Sequence, residues 1–492
     1  MKKAILIILL ILMLVLSACS STSPKQTPAT EAAATETTAT MQSTSATNVN
    51  PPFGNPPVGT PPSGAPEANP PIWTSPDKGT GSSNASSGLA TATGAYTQNG
   101  GIISRANQAY RATIADESAI LITNAGTFTL INSAVTTSGN TSSQDNSSFY
   151  GLNAGVLATS GSTINLSDST ITTSGTGANG AFVTGSGSSI TLTNVTIRAA
   201  SDGAHAVMAT QGGSMTITNV DMITSGGSSS AIATDRGGGT INVTGGSVTT
   251  SGANSAGIYS TGNITVTNGT FIASGAEAAV IEGANSITLA NTSLTSTYAG
   301  KWGVMIYQSM SGDAHGSGGT FTMTGGSLAY TANDGPPFYL TNSMGTIILK
   351  GVNVTAASGT LVKASAGNWG NSGSNGGIVT LNADGQTLTG NLVADSISSI
   401  ATTLENGSTL TGSINSDNNA QTINLTLDGS STWTVTADSF LTCLTDSSGI
   451  SGATVTNIIG NGHTVYYVKS TCSVLGGQTY SLKGGGRLEP EQ

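Results

Sequence analysis

The chain is poor in charge, in aromatic residues and in cysteine. Of its 492 residues, 8% are charged and 5% are aromatic, whereas about 25% are charged in ordinary soluble domains. The formal net charge is −10, and a sparse acidic surface argues against nucleic acid as a partner. The three cysteines and three histidines show no metal-ligand spacing. We therefore expect neither a metal nor another cofactor.

Long apolar runs are also missing, except at the start of the chain. Lys2 and Lys3 precede an unbroken apolar stretch, residues 4–16, which is too short for a comfortable membrane span. The stretch ends in Leu-Ser-Ala followed by Cys19, and this resembles the lipobox of a bacterial lipoprotein signal peptide. The resemblance implies a signal peptide over residues 1–18 and a multiply acylated, for example palmitoylated, Cys19. The alternatives are an ordinary signal peptide or an uncleaved anchor.

Residues 19–88 are predicted to be a lipidated N-terminus and a disordered tether. They are rich in Ser, Thr, Ala and Pro, and such a segment buries too little apolar surface to offset the entropy lost on ordering. Its maximum reach is about 200 Å. Together with the lipid, it predicts an extracytoplasmic protein whose membrane partner is the bacterial cell membrane or outer membrane.

A repeat occupies most of the remaining sequence. Between residues 127 and 361 a short block recurs about every 23 to 26 residues, a period typical of solenoids. Within each block apolar residues alternate with threonine, which is the pattern of a β-strand with one buried face. The clearest copies are 190–197, 215–222, 241–248, 264–271, 287–294 and 321–328. A second strand and, after a polar loop, a third strand complete each coil.

The corner inside each block carries asparagine or glycine. Both residue types tolerate positive φ, so we predict a tight corner, with the asparagine side chains stacked in a ladder along the solenoid axis. The corner residues are Asn194, Asn219, Asn268 and Asn291 in four blocks and Gly245, Gly325 and Gly351 in three others.

Three short strands per coil resemble the right-handed parallel β-helix, the pectin-lyase-like fold that many surface adhesins share. From about residue 94 to 485 the chain resembles the adhesin-like members found on bacterial surfaces. The fragments that carry this likeness are 146–156, 233–239, 301–307 and 433–439. The resemblance implies an all-β solenoid, with β-helix repeats over 89–430 and terminal coils with a C-terminal cap over 431–492. We expect residues 88–130 to lead into the helix, with 105–122 covering its first coil.

Cys443 and Cys472 form an even pair once Cys19 is assigned to the lipid. In an exported protein such a pair predicts a disulfide. Two free buried thiols are the alternative.

The few charged residues include the candidates for a catalytic site. If the third strands stack, the residues at their ends form a row along one face. A glycosidase needs two carboxylates about 5 to 9 Å apart, and Asp235 and Glu282, two coils apart, are candidates for this pair. A base with Arg236 or Lys301 would suit a lyase. A solvated face with a few ion pairs is the simpler interpretation, because no lyase signature is present. The row reads Gln211, Asp235, Arg236, Ser260, Glu282, Gln308, Asn342 and Lys363, with Asp202, Glu277, Lys301 and Asp313 in adjoining loops.

Outward-facing threonines form a second candidate surface. Pairs such as Thr191 with Thr193 and Thr265 with Thr267 would make a flat ladder, although Asn242 interrupts it. Such an array is used by ice-binding solenoids, but threonine is also a common solvent-facing strand residue.

These observations leave three hypotheses. The first is a lipid-anchored, non-enzymatic β-helix that adheres to, or forms a scaffold on, glycans or other surfaces. The second is a polysaccharide lyase or glycoside hydrolase acting on a cell-wall or plant polymer. The third is a structural or ice-contacting surface protein.

Overall fold

The computed structural model describes residues 91–491. Cys19, the predicted signal peptide and the predicted tether lie outside these residues. Within them, the chain consists of β-strands joined by short loops, with the α-helix Gln144–Tyr150 and the short 3-10 helix Ser473–Leu475. No helix in the described part of the chain is long and apolar enough to cross a membrane.

Each coil up to Asn353–Ala356 contributes one strand to each of three parallel sheets, and the later coils continue sheets 1 and 2 only. Sheet 1 contains Thr93–Asn99, Glu117–Thr123, Val156–Ala158, Ala181–Thr184, Val207–Thr210, Ile232–Thr234, Ile258–Ser260, Ala279–Glu282, Val304–Tyr307, Phe338–Thr341, Thr360–Ala364 and Asn391–Ala394. Sheet 2 contains Ile102–Ala106, Thr127–Ile131, Thr163–Ser167, Ser189–Thr193, Gly213–Thr218, Gly239–Thr244, Asn263–Thr267, Ser286–Ala290, Gly319–Thr324, Ser343–Lys350, Gly377–Asp384, Ser399–Glu405, Thr422–Leu427 and Cys443–Thr445. Sheet 3 contains Ala109–Ala112, Ala134–Thr137, Thr170–Thr173, Thr196–Ala199, Asp221–Thr224, Ser247–Thr250, Thr270–Ala273, Ser293–Ser296, Ser327–Tyr330 and Asn353–Ala356.

A fourth sheet forms the C-terminal part of the molecule. Its strands are Thr387–Thr389, Thr409–Thr411, Thr432–Thr434, Ser439–Leu441, Ile450–Ser451, Thr454–Ile459, Thr464–Tyr467, Tyr480–Lys483 and Arg487–Pro490. Ile450–Ser451 pairs antiparallel with Thr454–Ile459, and Tyr480–Lys483 pairs antiparallel with Arg487–Pro490. These antiparallel pairs end the parallel stacking.

The predicted all-β parallel solenoid with three strands per coil is confirmed. Equal repeat lengths place like residues opposite one another, so that Ile190 pairs with Ile164 on one side and Met215 on the other. Ile190 and Leu192 are at most 1% exposed, and the buried rows of all coils form one continuous apolar core. Burial of this repeated apolar row, rather than any single coil, stabilises the stack.

The predicted corners are also confirmed. The backbone φ is 53° at Asn194, 52° at Asn219 and 69° at Gly245, all in the left-handed region. Side-chain hydrogen bonds between successive corners occur where the Nδ2 of Asn194 donates to the Oδ1 of Asp168 at 3.1 Å and where Asn132 donates to Asn107. Within the described residues, the predicted asparagines of the ladder do not bond to one another, so the ladder is not continuous.

The start of the solenoid differs from the expectation. Residues 105–122 do not cover the first coil, because Thr93–Asn99, Ile102–Ala106 and Ala109–Ala112 themselves form a regular first coil. Its apolar alternation is weak: Ile102 is 86% exposed, and so the sequence pattern did not predict strands there.

The outer face of sheet 1 is covered, unlike the outer faces of sheets 2 and 3. In Ala181–Thr184, Val207–Thr210 and Val304–Tyr307 every residue is buried. Over the early coils Phe182 packs with Leu157 and Met208 beneath the helix Gln144–Tyr150. This helix occupies the longest interval between the early strands, so it is an insertion into the repeat that folds back onto sheet 1.

Candidate functional site

Neighbouring strands of sheet 1 bring the predicted acidic residues together. Asp235 follows Ile232–Thr234, and Glu282 ends Ala279–Glu282, two strands farther along. Tyr259 lies on the strand between them, and Tyr307 is directly opposite Glu282 on the next strand. We call Asp235, Arg236, Tyr259, Glu282, Tyr307 and Asp313, with Phe149 beside them, the acid–aromatic cluster.

Glu282 is the buried centre of this cluster. It is 1% exposed, and its Oε2 accepts hydrogen bonds from the hydroxyls of Tyr259 and, at 2.9 Å, Tyr307. Its Oε1 accepts from the hydroxyl and the backbone N–H of Ser309 and from the hydroxyl of Ser311. The carboxylate therefore fastens the loop after Val304–Tyr307 to the sheet.

Burial keeps both tyrosines protonated. It raises the pKa of Tyr259 well above 10, with further contributions from Tyr307 and Glu282. It also raises the pKa of Tyr307 well above 10, again reinforced by the Glu282 charge. The two hydroxyls thus remain hydrogen-bond donors over the whole range of physiological pH.

Asp235 is a carboxyl that holds its proton. It is half-buried, and its Oδ1 accepts the backbone N–H of Arg236 at 2.7 Å. Burial raises the pKa of Asp235 to about 8, and the nearby negative charges of Asp313 and Glu282 act in the same direction. At neutral pH, Asp235 is therefore mainly a neutral acid near the fully hydrogen-bonded carboxyl of Glu282.

Arg236 joins the inserted helix to the loop over sheet 1. Its Nη2 forms an ion pair with the Oδ1 of Asp313 at 2.9 Å. The guanidinium carbon lies 3.7 Å from the centre of the Phe149 ring, within the range of cation–π attraction. Because 46% of the Arg236 side chain is exposed, solvent reaches this contact.

Four aromatic rings lie beyond Glu282 on the same face. Trp302 stacks on Tyr339 with ring centres 4.0 Å apart, and Trp369 packs against Tyr307 at 4.8 Å. Both tryptophans are partly exposed, whereas the two tyrosines beneath them are buried. Trp302 and Trp369 give this face a partly exposed aromatic surface, which we call the tryptophan platform.

A cavity of about 390 Å³ lies on the other side of the cluster. Its floor includes Leu157 and its walls include Tyr150, Thr184 and Gln211. The backbone N–H of Gln211 donates to the carbonyl of Arg236 at 3.2 Å, so the cavity adjoins the acid–aromatic cluster. The cavity, the cluster and the tryptophan platform thus follow one another along the outer face of sheet 1.

Other predicted residues have different surroundings. Glu277 and Lys301 form a buried ion pair at 3.4 Å, with 1% and 3% of their side chains exposed. Asp202 accepts the backbone N–H of Gly227 and so supports a loop. The remaining polar members of the row bond mainly to backbone: Ser260 to Gly262 and Ser286, Gln308 to Ala314 and Gly316, and Asn342 to Gln308. Lys363 is exposed and lies opposite Tyr339.

Cys443 and Cys472 form a disulfide, with their Cα atoms 4.9 Å apart. It lies near the C-terminal sheet, far along the chain from the acid–aromatic cluster. No group of three or more His, Cys, Asp or Glu within residues 91–491 is arranged to hold a metal ion.

The outward threonines of sheet 2 form aligned rows. Thr191 lies opposite Thr216, and Asn242 lies opposite Thr216 and Thr265, with no shift of register. These side chains are exposed or half-buried. The ladder therefore exists as the sequence predicts, and Asn242 interrupts its composition but not its geometry.

No family model, curated protein or solved structure matches this chain. The site is therefore interpreted from its own geometry. Sequence reasoning placed Asp235, Arg236, Glu282 and Asp313 near one another but missed Tyr259, Tyr307 and Phe149. The alignment of the repeats could have indicated the tyrosines, since they occupy the same row as Glu282 or the strand beside it. Nothing in the repeat indicates where the inserted helix and Phe149 fold.

Proposed function

We propose that this protein is a lipid-anchored, extracytoplasmic solenoid that binds glycans without chemical turnover. The outer face of sheet 1 is the binding surface. One observation carries the proposal: the partly exposed Trp302 and Trp369 rings lie beside buried tyrosine and carboxyl groups. Sugar rings present apolar C–H faces and a rim of hydroxyls, and such ligands need aromatic surface with a few placed polar groups.

The outer face of sheet 1 is also long enough to bind an extended ligand. The cavity adjoins strands near Val156–Ala158, and the tryptophan platform lies at Val304–Tyr307 and Phe338–Thr341, about seven coils away. At about 4.8 Å per coil, this distance is on the order of 30 Å. A chain of several sugar units would cross it, with its hydroxyls within reach of Gln211, Asp235 and Arg236.

The predicted lipid and tether would hold this surface away from the membrane. The proposal predicts that a Cys19→Ser protein leaves the membrane fraction while its solenoid stays folded. Fractionation of cells, followed by immunoblotting and metabolic labelling with a fatty acid, tests the anchor. A Cys19→Ser protein that stays membrane-bound would remove the lipid from the proposal.

Glycan binding is tested with detergent-solubilised full-length protein on a panel of plant, wall and capsule polysaccharides. We expect retention by at least one polymer and a loss of about tenfold or more in affinity for Trp302→Ala and Trp369→Ala. Trp73→Ala, in the segment that the sequence predicts to be a tether, serves as the control. If the two solenoid variants bind like the control, the platform is not the binding surface.

Turnover is the second candidate function, and one observation favours it. Asp235 and Glu282 are carboxyls two strands apart on sheet 1, and the raised pKa of Asp235 suits the general acid that a glycosidase requires. Against it, both oxygens of Glu282 are already occupied by hydrogen bonds, and both candidate cations, Arg236 and Lys301, are paired. Assay of the same panel for new reducing ends or unsaturated sugars, with Asp235→Asn as control, would detect such activity and overturn the non-enzymatic proposal.

The aligned threonine rows of sheet 2 support the third hypothesis, contact with ice or another periodic solid. Thermal hysteresis of the purified protein would be required for it.

A further inference from the structure

Acidic groups outnumber cationic groups in the acid–aromatic cluster. Glu282 and Asp313 face one cationic side chain, Arg236, and Asp235 adds a third carboxyl that is mainly protonated at neutral pH. The nearest alternative, Lys301, is buried in its own pair with Glu277. Lys363 lies two strands beyond Tyr307. A polyanionic glycan would therefore meet net repulsion at the middle of the outer face of sheet 1.

The cluster already holds one cation in a manner that a ligand can reproduce. The guanidinium of Arg236 lies over the Phe149 ring at 3.7 Å and against Asp313 at 2.9 Å. An aromatic face with a carboxylate beside it is a general receptor for an organic cation. Because the Arg236 side chain is 46% exposed and long, and stands on the turn after Ile232–Thr234, it can leave this position without disturbing a strand.

We propose that the acid–aromatic cluster binds the protonated amino groups of amino-sugar glycans, and that a ligand amine displaces the guanidinium of Arg236 from Phe149 and Asp313. This inference rests on the proposed glycan binding and names the class of glycan. An ammonium group is smaller than a guanidinium and donates three hydrogen bonds. Asp313 and Asp235 would accept two of them, while the face of Phe149 supplies the third contact.

The proposal also explains why Glu282 is fully hydrogen-bonded. Its bonds from Ser309 and Ser311 hold the start of the loop that carries Asp313. Asp313 is thereby fixed opposite Phe149, with its backbone N–H bonded to the hydroxyl of Ser311 at 3.2 Å. Glu282 is a positioning residue in this scheme, and Asp313 is the residue that touches the ligand.

The test compares two soluble probes that differ in charge. Full-length protein in detergent is titrated with a hexamer of glucosamine and with a hexamer of N-acetylglucosamine at about pH 6, where the free amines are protonated. We expect the glucosamine hexamer to bind at least about tenfold more tightly, with an advantage that shrinks in high salt. Circular dichroism and thermal unfolding confirm that each variant is folded.

Variants locate the contact. Asp313→Asn and Phe149→Leu are expected to weaken glucosamine-hexamer binding about tenfold and to leave binding of the acetylated hexamer nearly unchanged. Arg236→Gln removes the competing guanidinium and is expected to strengthen glucosamine-hexamer binding several-fold. Asp384→Asn, which breaks an ion pair with Lys350 on sheet 2, and Arg198→Gln on sheet 3 are the matched controls.

The outcomes separate this inference from the function on which it rests. Equal affinity for the two hexamers, or weaker binding by Arg236→Gln, overturns the displacement by an amine but leaves glycan binding in place. Absence of binding to both hexamers, with binding of another polymer in the panel, also overturns it. If no glycan binds at all, the proposed function itself fails.

Discussion

Burial holds His205 in its neutral form. The side chain is 7% exposed, its Nδ1 lies 2.9 Å from the carbonyl of Ser230, and burial lowers its pKa to about 4. In the unfolded chain the same ring has a pKa of about 6.5. Below that value the unfolded state takes up a proton that the folded state does not, so stability is lost as the pH falls from about 6.5 to about 4.

The expected loss in the free energy of unfolding is about 3 kcal/mol by pH 4. His205→Gln, whose amide can still donate to Ser230, should remove most of this pH dependence. Urea unfolding at pH 7 and at pH 4.5 measures it, with the exposed His315→Gln as control. An unchanged slope in His205→Gln would mean that another group controls acid unfolding.

Ionisation of Asp235 should change stability with pH in the direction opposite to that of His205. Its folded pKa of about 8 lies above the unfolded value because of burial and the charges of Asp313 and Glu282. Its contribution is therefore fully present below about pH 4 and is lost as the pH rises to about 8. Since the side chain is only half-buried, we expect Asp235→Asn to gain about 1–2 kcal/mol over the wild type at pH 9 and less than about 0.5 kcal/mol at pH 5.

Thermal unfolding across this range, with Asp384→Asn, whose carboxyl is paired with Lys350 on sheet 2, for comparison, measures the difference. A gain that is the same at both pH values would show that the ionisation of Asp235 is not responsible.

The residues of the cluster were only partly predictable. Asp235 and Glu282 were found because charge is rare in this chain and because both follow third strands of the repeat. The strand pattern did not single out Tyr259 and Tyr307, since an apolar pattern does not show which tyrosine hydroxyl donates a hydrogen bond to Glu282. Phe149 belongs to an inserted helix, and where an insertion packs depends on tertiary contacts that no repeat pattern encodes.

At the scale of the strand, glycines at the corners have unequal roles. Gly246, with φ of 81°, follows the Gly245 corner, and a Cβ there would lie 2.2 Å from the carbonyl oxygen of Val220. Gly351, with φ of 61°, has no atom within 4 Å of its hypothetical Cβ. Both glycines meet the left-handed requirement, but only Gly246 is also needed for close packing between coils.

Gly246→Ala should therefore destabilise the protein by about 2–4 kcal/mol, through strain and displacement of the neighbouring coil. Gly351→Asn should change stability by less than about 1 kcal/mol, because asparagine occupies the equivalent corner in several other coils. Equilibrium unfolding of both variants measures the contrast. Similar losses would show that φ alone, and not the approach to Val220, sets the cost.

Strands and corners were the most predictable elements. Apolar residues alternate with threonine in blocks that recur at a nearly constant interval. Each apolar row must therefore stack on the matching row of the next coil, because any other register would expose the apolar row. The first coil escaped prediction since its strands are mostly exposed, with Ile102 at 86%. A strand that is stabilised by pairing with the next coil rather than by burial needs no alternation of apolar and polar residues, so its sequence does not predict it.

Across the whole molecule, stability should be mostly local, because strand pairing joins each coil only to its neighbours, and longer contacts are made by the inserted helix and loops over sheet 1. The two ends therefore behave independently of the middle. The C-terminal end combines antiparallel strand pairs with the disulfide between Cys443 and Cys472, and the Cys472 side chain is fully buried. The disulfide spans 29 residues, and loop-closure entropy gives it a contribution of about 3.5 kcal/mol.

Replacement of Cys443 and Cys472 by serine should consequently destabilise the C-terminal end and leave the acid–aromatic cluster unaffected. We expect faster amide hydrogen exchange in the strands of sheet 4, from Thr432–Thr434 onward, with no change in the coils around Asp235 and Glu282. Glycan binding should be retained for the same reason. Hydrogen exchange by mass spectrometry, with peptides from sheet 1 as the internal control, resolves the two regions. Faster exchange along the entire solenoid would contradict nearest-neighbour stability, and would mean that the C-terminal end holds every coil in place.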